Sequence, residues 1–129
     1  ALPLADLEKA VSGFDQVECP MTHHFSPGIY VRERFAKADT LIIGKRHRHD
    51  TMSILLQGTL SVYLDEGGAV KLLKAPCIWT TKARAKRMTY SHTDTILATI
   101  HPTEETDLEK LEEDLVIPEK EYLEQGGLK

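Results

Sequence analysis

The spacing of apolar positions changes twice along the chain. Leu4, Leu7, Val11 and Phe14 recur every three or four residues and Gly13 supplies a stop, which predicts a short helix over residues 4–12. From Gly28 the period falls to two. Gly28-Ile29-Tyr30-Val31-Arg32-Glu33-Arg34-Phe35 places Val31, Glu33 and Phe35 on one face and mostly polar residues on the other. Further short strands are expected at 39–44, 45–49, 52–64, 69–74, 77–81, 86–91 and 94–101, separated by turn signals such as Ala75-Pro76. Asp65-Glu66-Gly67-Gly68, between two apolar runs, predicts a hairpin loop. Many short strands with no long helix between them predict an all-β antiparallel sandwich or barrel. Near the end, Thr106-Asp107-Leu108-Glu109 fits a capping box, and Leu108, Leu111 and Leu115 form an apolar stripe that stops before Pro118. That stripe is too narrow for a core of its own, so it must dock on the barrel or on a partner subunit. The expected organisation is an N-terminal helix and arm over 1–27, a barrel over 28–102, and an acidic helix and tail over 103–129.

A chain of 129 residues fits one such domain. With 41% hydrophobic and 28% charged residues it is too apolar for a disordered chain. No apolar run approaches the roughly 18 residues of a membrane span. The start, Ala1-Leu2-Pro3-Leu4-Ala5-Asp6, has neither a basic region nor an apolar core, so a cytoplasmic protein is expected. Cys19 and Cys77 are too few for a disulfide framework and lack metal-type spacing; Cys77-Ile78-Trp79 reads as a buried, inert thiol in an apolar run. Charge is split unevenly. Residues 1–102 carry 13 Lys/Arg against 10 Asp/Glu, whereas residues 103–129 carry 3 against 10. This predicts that the acidic tail packs across a basic flank of its own or a neighbouring subunit, with Leu108, Leu111 and Leu115 doing most of the docking. Arg46, Arg48, Lys82, Arg84 and Lys86 would form a basic outer patch if their segments were extended. A pI near 5.9, 6% aromatics and no recognition motif argue against sequence-specific nucleic-acid binding.

The sharpest chemical signal is Gly44-Lys45-Arg46-His47-Arg48-His49. On an extended strand His47 and His49 share a face, about 7 Å apart, and two neutral imidazoles so placed are half of a Zn, Fe, Mn, Ni or Cu site. The competing reading is an exposed basic strand. His23 and His24 are adjacent, so at most one of them reaches any given site, and a surface strand before the Ser26-Pro27-Gly28 turn suits the pair.

Gly44 and His47-x-His49, followed by Ile54-Leu55-Leu56-Gln57-Gly58-Thr59-Leu60-Ser61-Val62, resemble the first motif of the cupin superfamily. Leu73-Lys74-Ala75-Pro76 through Arg87 resembles the second in weaker form, so the likeness spans residues 28–101. Met21 to Gly28, Gly44 to His49, Lys86-Arg87 and Thr93-Asp94-Thr95 to His101 are similar to small single-domain cupins of tailed phages and prophages. The resemblance implies a small jelly-roll barrel, commonly a homodimer, with a ligand site at the barrel mouth. Two departures stand out. Where metal-binding cupins place a Glu, this chain has Ser53 and Ile54, and Arg87 falls where a ligand His is expected; arginine offers a metal no lone pair.

Three readings follow. In one, His47 and His49 hold a divalent transition metal with help from His92, His101, His23 or His24, His92 being nearest in sequence to the Arg87 strand. In another, the mouth binds an anionic small molecule through Arg87, with Thr89 on the same face and His47 and His49 adding hydrogen bonds. In the third, the site is vestigial and the protein is a phage-type accessory or assembly module that uses its outer surface. If Arg87 points inward, a neighbouring His47 is held neutral by the like charge and becomes a general base, which leaves catalysis open.

Overall fold

Alternation at period two becomes two antiparallel sheets. The computed structural model describes residues 18–64 and 70–126. In chain order these form β1 (Met21–Ser26), β2 (Ile29–Ala36), β3 (Thr40–Ile43), β4 (Arg46–His47), β5 (Thr51–Gln57), β6 (Thr59–Leu64), β7 (Val70–Lys74), β8 (Cys77–Thr81), β9 (Arg87–Ser91), β10 (Thr95–Pro102), α1 (Leu108–Leu115), β11 (Val116–Ile117) and α2 (Glu119–Glu124). One sheet has the order β1-β2-β10-β5-β8 and the other β3-β9-β6-β7, with β4 and β11 forming a separate ladder. The helix expected over 4–12 and the loop expected at 65–68 lie outside the described residues; β6 and β7 nevertheless pair as antiparallel neighbours up to Tyr63↔Val70. The larger sheet begins earlier than the expected boundary at residue 28, because β1 pairs along its whole length with β2, from Met21↔Arg34 to Ser26↔Ile29. Among the described residues no helix is long and apolar enough to cross a membrane.

Two turns depend on glycine. Gly28 joins β1 to β2 at φ +79°, and Gly58 joins β5 to β6 at φ +91°. A Cβ on Gly58 would lie 2.2 Å from the Asp94 carbonyl oxygen, so the turn has no room for a side chain.

The space between the sheets is divided along the strands. At one end Leu55, Leu60, Val62 and Leu97 are buried together, with Leu73, Ala75, Cys77 and Trp79 packed against them. One step along the same strands the inward positions turn polar. Leu97 pairs with Leu55 and Arg34, and the next inward residue of β10, Thr99, pairs with Ser53 and Arg32. The apolar end anchors the sheets, and the polar end is free to hold a site.

The acidic tail packs on its own barrel. Asp107, one residue later than the box beginning at Thr106, caps α1 by accepting from the backbone N–H groups of Glu109 at 2.9 Å and Lys110 at 3.2 Å. Leu111 and Leu115 are buried against Tyr30. Leu108 stays 49% exposed, so two of the three expected leucines dock. β11 pairs with β4 through Val116↔His47 and Ile117↔Arg46. Pro118 then opens α2, which the leucine stripe alone does not predict. From α2, Tyr122 is buried beneath the Arg46 guanidinium, 3.6 Å from the ring centroid. Glu119 accepts from Arg46 Nε at 2.7 Å and lies 3.5 Å from Lys86 Nζ, while Arg48 grips Glu121 through a fork of 2.6 and 3.1 Å. Lys45 pairs with Glu112. The expected outer basic patch is therefore not one: Arg46 and Lys86 are buried, and residues 82–86 form a turn in place of a strand.

Candidate functional site

The register of β2 decides what the barrel contains. Residues directly opposite one another in an antiparallel pair share a face. Arg34 lies opposite Leu97 and Arg32 opposite Thr99, both interior positions, so the face carrying Tyr30, Arg32 and Arg34 points inward and Val31, Glu33 and Phe35 point out. From the other sheet, Arg87 enters on β9 with Thr89, which is buried. Arg87 Nη1 donates to Ser53 Oγ at 3.0 Å and Thr81 Oγ1 at 3.4 Å, and Arg34 Nη2 donates to Thr89 Oγ1 at 3.4 Å. Ser53, one of the two positions where the resemblance would expect a Glu, thus serves as an acceptor for a guanidinium. Arg34 Nε is fully buried and has no hydrogen-bond partner among the described residues. Among the described residues no carboxylate pairs with Arg32, Arg34 or Arg87. Burial, followed by the charges of Arg34 and Arg32, pushes Arg87 down to about 10, and burial likewise lowers Arg34. Both remain cationic at neutral pH.

Above the arginines a cavity of about 230 Å³ opens at the barrel mouth, lined by His23, Tyr30, Arg32, His47 and His101 and roofed by α1. The His47 and His101 rings lie 5.1 Å apart at 55°, and Tyr30 stacks on His101 at 5.7 Å. The Tyr30 hydroxyl and His23 Nδ1 share a hydrogen bond of 2.7 Å. His101 is buried, and its Nε2 has no hydrogen-bond partner among the described residues. Burial, then His101, Arg32, Arg87 and Lys45, push His47 down to about 3. Burial, then Arg32, Arg87 and His49, push His101 down to about 4. Two neutral imidazoles therefore sit beside fixed cations.

That arrangement carries a signature in stability against pH. Unfolded, both histidines titrate near 6.5; folded, they do so near 3 and 4, so between these limits the unfolded chain binds more protons. Stability is fully present above pH 6.5 and is lost as pH falls toward 4, by up to about 1.4 kcal/mol per pH unit for each histidine. Urea denaturation between pH 7.5 and 4.5 should show this slope, reduced in His47→Gln. An identical slope in that variant would place the acid sensitivity elsewhere.

The structure brings some of the expected site residues together and separates others. Arg87, Thr89 and His47 face the interior or its mouth, joined by His101. His49 lies past the end of β4, where the chain bends, and is exposed, though near enough for its charge to bear on His101. His92 lies beyond the opposite end of β9 from Arg87, where its Nε2 is 2.7 Å from Ser61 Oγ and its ring meets Tyr90 edge-on. The expected set of His47, His49 and His92 is thus not assembled. His23 faces the cavity, while His24 points outward to Glu33 at 3.2 Å. The residues present do not fit a metal. The inward guanidinium groups repel a cation and offer it no lone pair, and the described residues hold no group of three or more His, Cys, Asp or Glu able to bind one. Sequence reasoning missed Arg32 and Arg34, whose signal is their period-two spacing on one strand.

No family model matches the chain, and no curated protein sequence matches it. Solved structures do. A cupin superfamily protein from Desulfitobacterium hafniense superposes with a TM-score of 0.57 at 14% identity, over 78% of this chain and 88% of that one. KdgF from Halomonas sp. gives 0.58 at 14% identity, over 72% and 86%. The cobalt(II) form of HppE in complex with Tris buffer gives 0.55 at 10% identity, over 64% and 52%. The chain has the cupin fold, an all-β jelly-roll barrel extended by short C-terminal helices.

Proposed function

We propose that this cupin-fold protein binds a small anionic molecule inside its barrel. The observation that carries the reading is the set of inward arginines, Arg32, Arg34 and Arg87, with no carboxylate among the described residues to neutralise them. An uncompensated guanidinium inside a fold is costly, and its forked donors match the geometry of a carboxylate or phosphate. Among the described residues, Arg34 Nε and His101 Nε2 are the two buried side-chain groups still wanting a partner. His47 and His101, held neutral, can accept a hydrogen bond from the ligand or take a proton from it, so the site has the components of general-base chemistry on a bound acid. HppE holds cobalt(II), but the donor set of this barrel favours an anion over a metal.

Calorimetric titration with short carboxylates and with inorganic phosphate tests the reading. At least one probe should bind, and Arg87→Gln should weaken it about tenfold or more. Binding that is indifferent to Arg87→Gln would overturn it. So would stoichiometric metal in protein purified without a chelator, if that metal were lost in the His47→Ala, His49→Ala double variant.

A further inference from the structure

The cavity of about 230 Å³ at the barrel mouth has two walls of different chemistry. The polar wall is Arg32 on β2, His47 on β4 and His101 on β10. The apolar wall is Met21 on β1, Leu108, Leu111 and Leu115 on α1, and Val116 on β11. The two meet at Tyr30, against which Leu111 and Leu115 are buried. Met21 and Leu108 are each 49% exposed, so both stand at the opening with apolar surface still in water. Leu108, the leucine of the α1 stripe that does not dock, thus has a place beside the cavity.

Charge on the lining is sparse. Lys45 and Glu112 pair with each other, and Arg32 is left with no carboxylate partner among the described residues. Arg34 and Arg87 line no part of the cavity. Arg34 is level with Leu97, deeper than Arg32, and Arg87 is fastened to Ser53, level with Arg32. They add positive charge below and beside it.

We infer that the ligand is a small monocarboxylate with an apolar body, its acid held by Arg32 beside His101 and its ring or short chain lying against Met21, Leu108, Leu111 and Leu115. The inference rests on the anion reading and adds the class of anion. One uncompensated guanidinium on the lining calls for one acid group, and a second acid would lie against leucine with nothing to satisfy it. At roughly 30 Å³ per water molecule the cavity has the room of about eight, enough for a single ring but not for a long acyl chain or a nucleotide. His101 Nε2, buried and without a hydrogen-bond partner among the described residues, can donate to the carboxylate in the tautomer that carries its proton there.

Titration calorimetry of the full chain with acetate, benzoate, hexanoate, succinate and inorganic phosphate tests this. Benzoate or hexanoate should bind at least about tenfold more tightly than acetate, succinate or phosphate. Arg32→Gln should weaken the preferred acid about tenfold or more. Leu108→Ser, at a half-exposed position, should narrow its advantage over acetate by at least about threefold. Cooperative melting of each variant by circular dichroism guards against loss of fold. Acetate, succinate or phosphate binding as tightly as benzoate and hexanoate would overturn the apolar-acid inference and leave the anion reading standing. An advantage of the apolar acids that survives both substitutions unchanged would do the same, by placing them outside this cavity. Failure of every probe to bind the unmodified protein would overturn both.

Discussion

Truncation after Pro102 is expected to lower the melting temperature by at least about 15 °C, or to leave a chain that does not fold at all. The segment removed carries Leu111, Leu115, Val116, Ile117 and Tyr122, each at most 9% exposed. Burial of one such side chain is worth about 1.5–3 kcal/mol, so their sum is comparable with the 5–15 kcal/mol that holds a typical domain together. The ion pairs add less than their number suggests: Lys45, Glu112, Arg48 and Glu121 all keep a third or more of their side-chain surface in water, where salt screens them. Thermal denaturation of the full and shortened chains, at low salt and at about 0.5 M, checks both parts. Apolar docking predicts a large loss on truncation and a small effect of salt on the full chain. Melting points within about 3 °C of each other would make the tail an ornament.

Arg34→Met is expected to do the opposite, making the protein more stable and unable to hold its ligand. The guanidinium of Arg34 is enclosed, faces Arg87, and makes a single long hydrogen bond, to Thr89. Methionine has similar length, no charge, and enough flexibility to fill the vacated volume beside Leu97 and Leu55. Relief of an unpaired buried charge should stabilise the fold by about 1–3 kcal/mol, while loss of a charged donor should cost a bound anion about 1.5–3 kcal/mol. Equilibrium denaturation read beside ligand titration gives two changes of opposite sign, the mark of a residue kept for binding at the expense of stability. A drop in stability would instead identify Arg34 as part of the framework that holds β2 to β9.

Much of the scaffold can be read from the chain, and the reasons are local. Most strands fall where alternation and turn residues place them, with the Ala75-Pro76 turn as punctuation, but the single strand expected over 52–64 breaks at Gly58 into β5 and β6, and the one expected over 45–49 shrinks to Arg46–His47. Charge arithmetic anticipates where the tail goes because a net acidic segment and a basic flank are both visible without coordinates. The interior of the site is harder. Period-two spacing sorts residues 29–36 into two faces without saying which is inside, and hydropathy favours Val31 and Phe35 over Arg32 and Arg34. Pairing with Leu97 and Thr99, some sixty residues later, reverses that choice. The His-x-His signal misleads for a related reason: its spacing implies a common face only while the chain stays extended, and β4 ends after two residues. His101 gains its role from the neighbours that packing gives it, Tyr30 on one side and His47 on the other.

The ladder between β4 and β11 has a consequence for the order in which the protein can be made. His47 owes its position to Val116, and Arg46 is fastened to Glu119, 73 residues further along the chain. A ribosome releases the barrel strands well before it releases the residues that seat this wall of the pocket. Until the chain has emerged through Val116, the cavity beside Arg32 lacks the wall that α1 and β11 supply. The closed cavity is then an attribute of the chain only once its tail has folded back, and loop-closure entropy makes this long-range pairing one of the slowest parts of the fold to form.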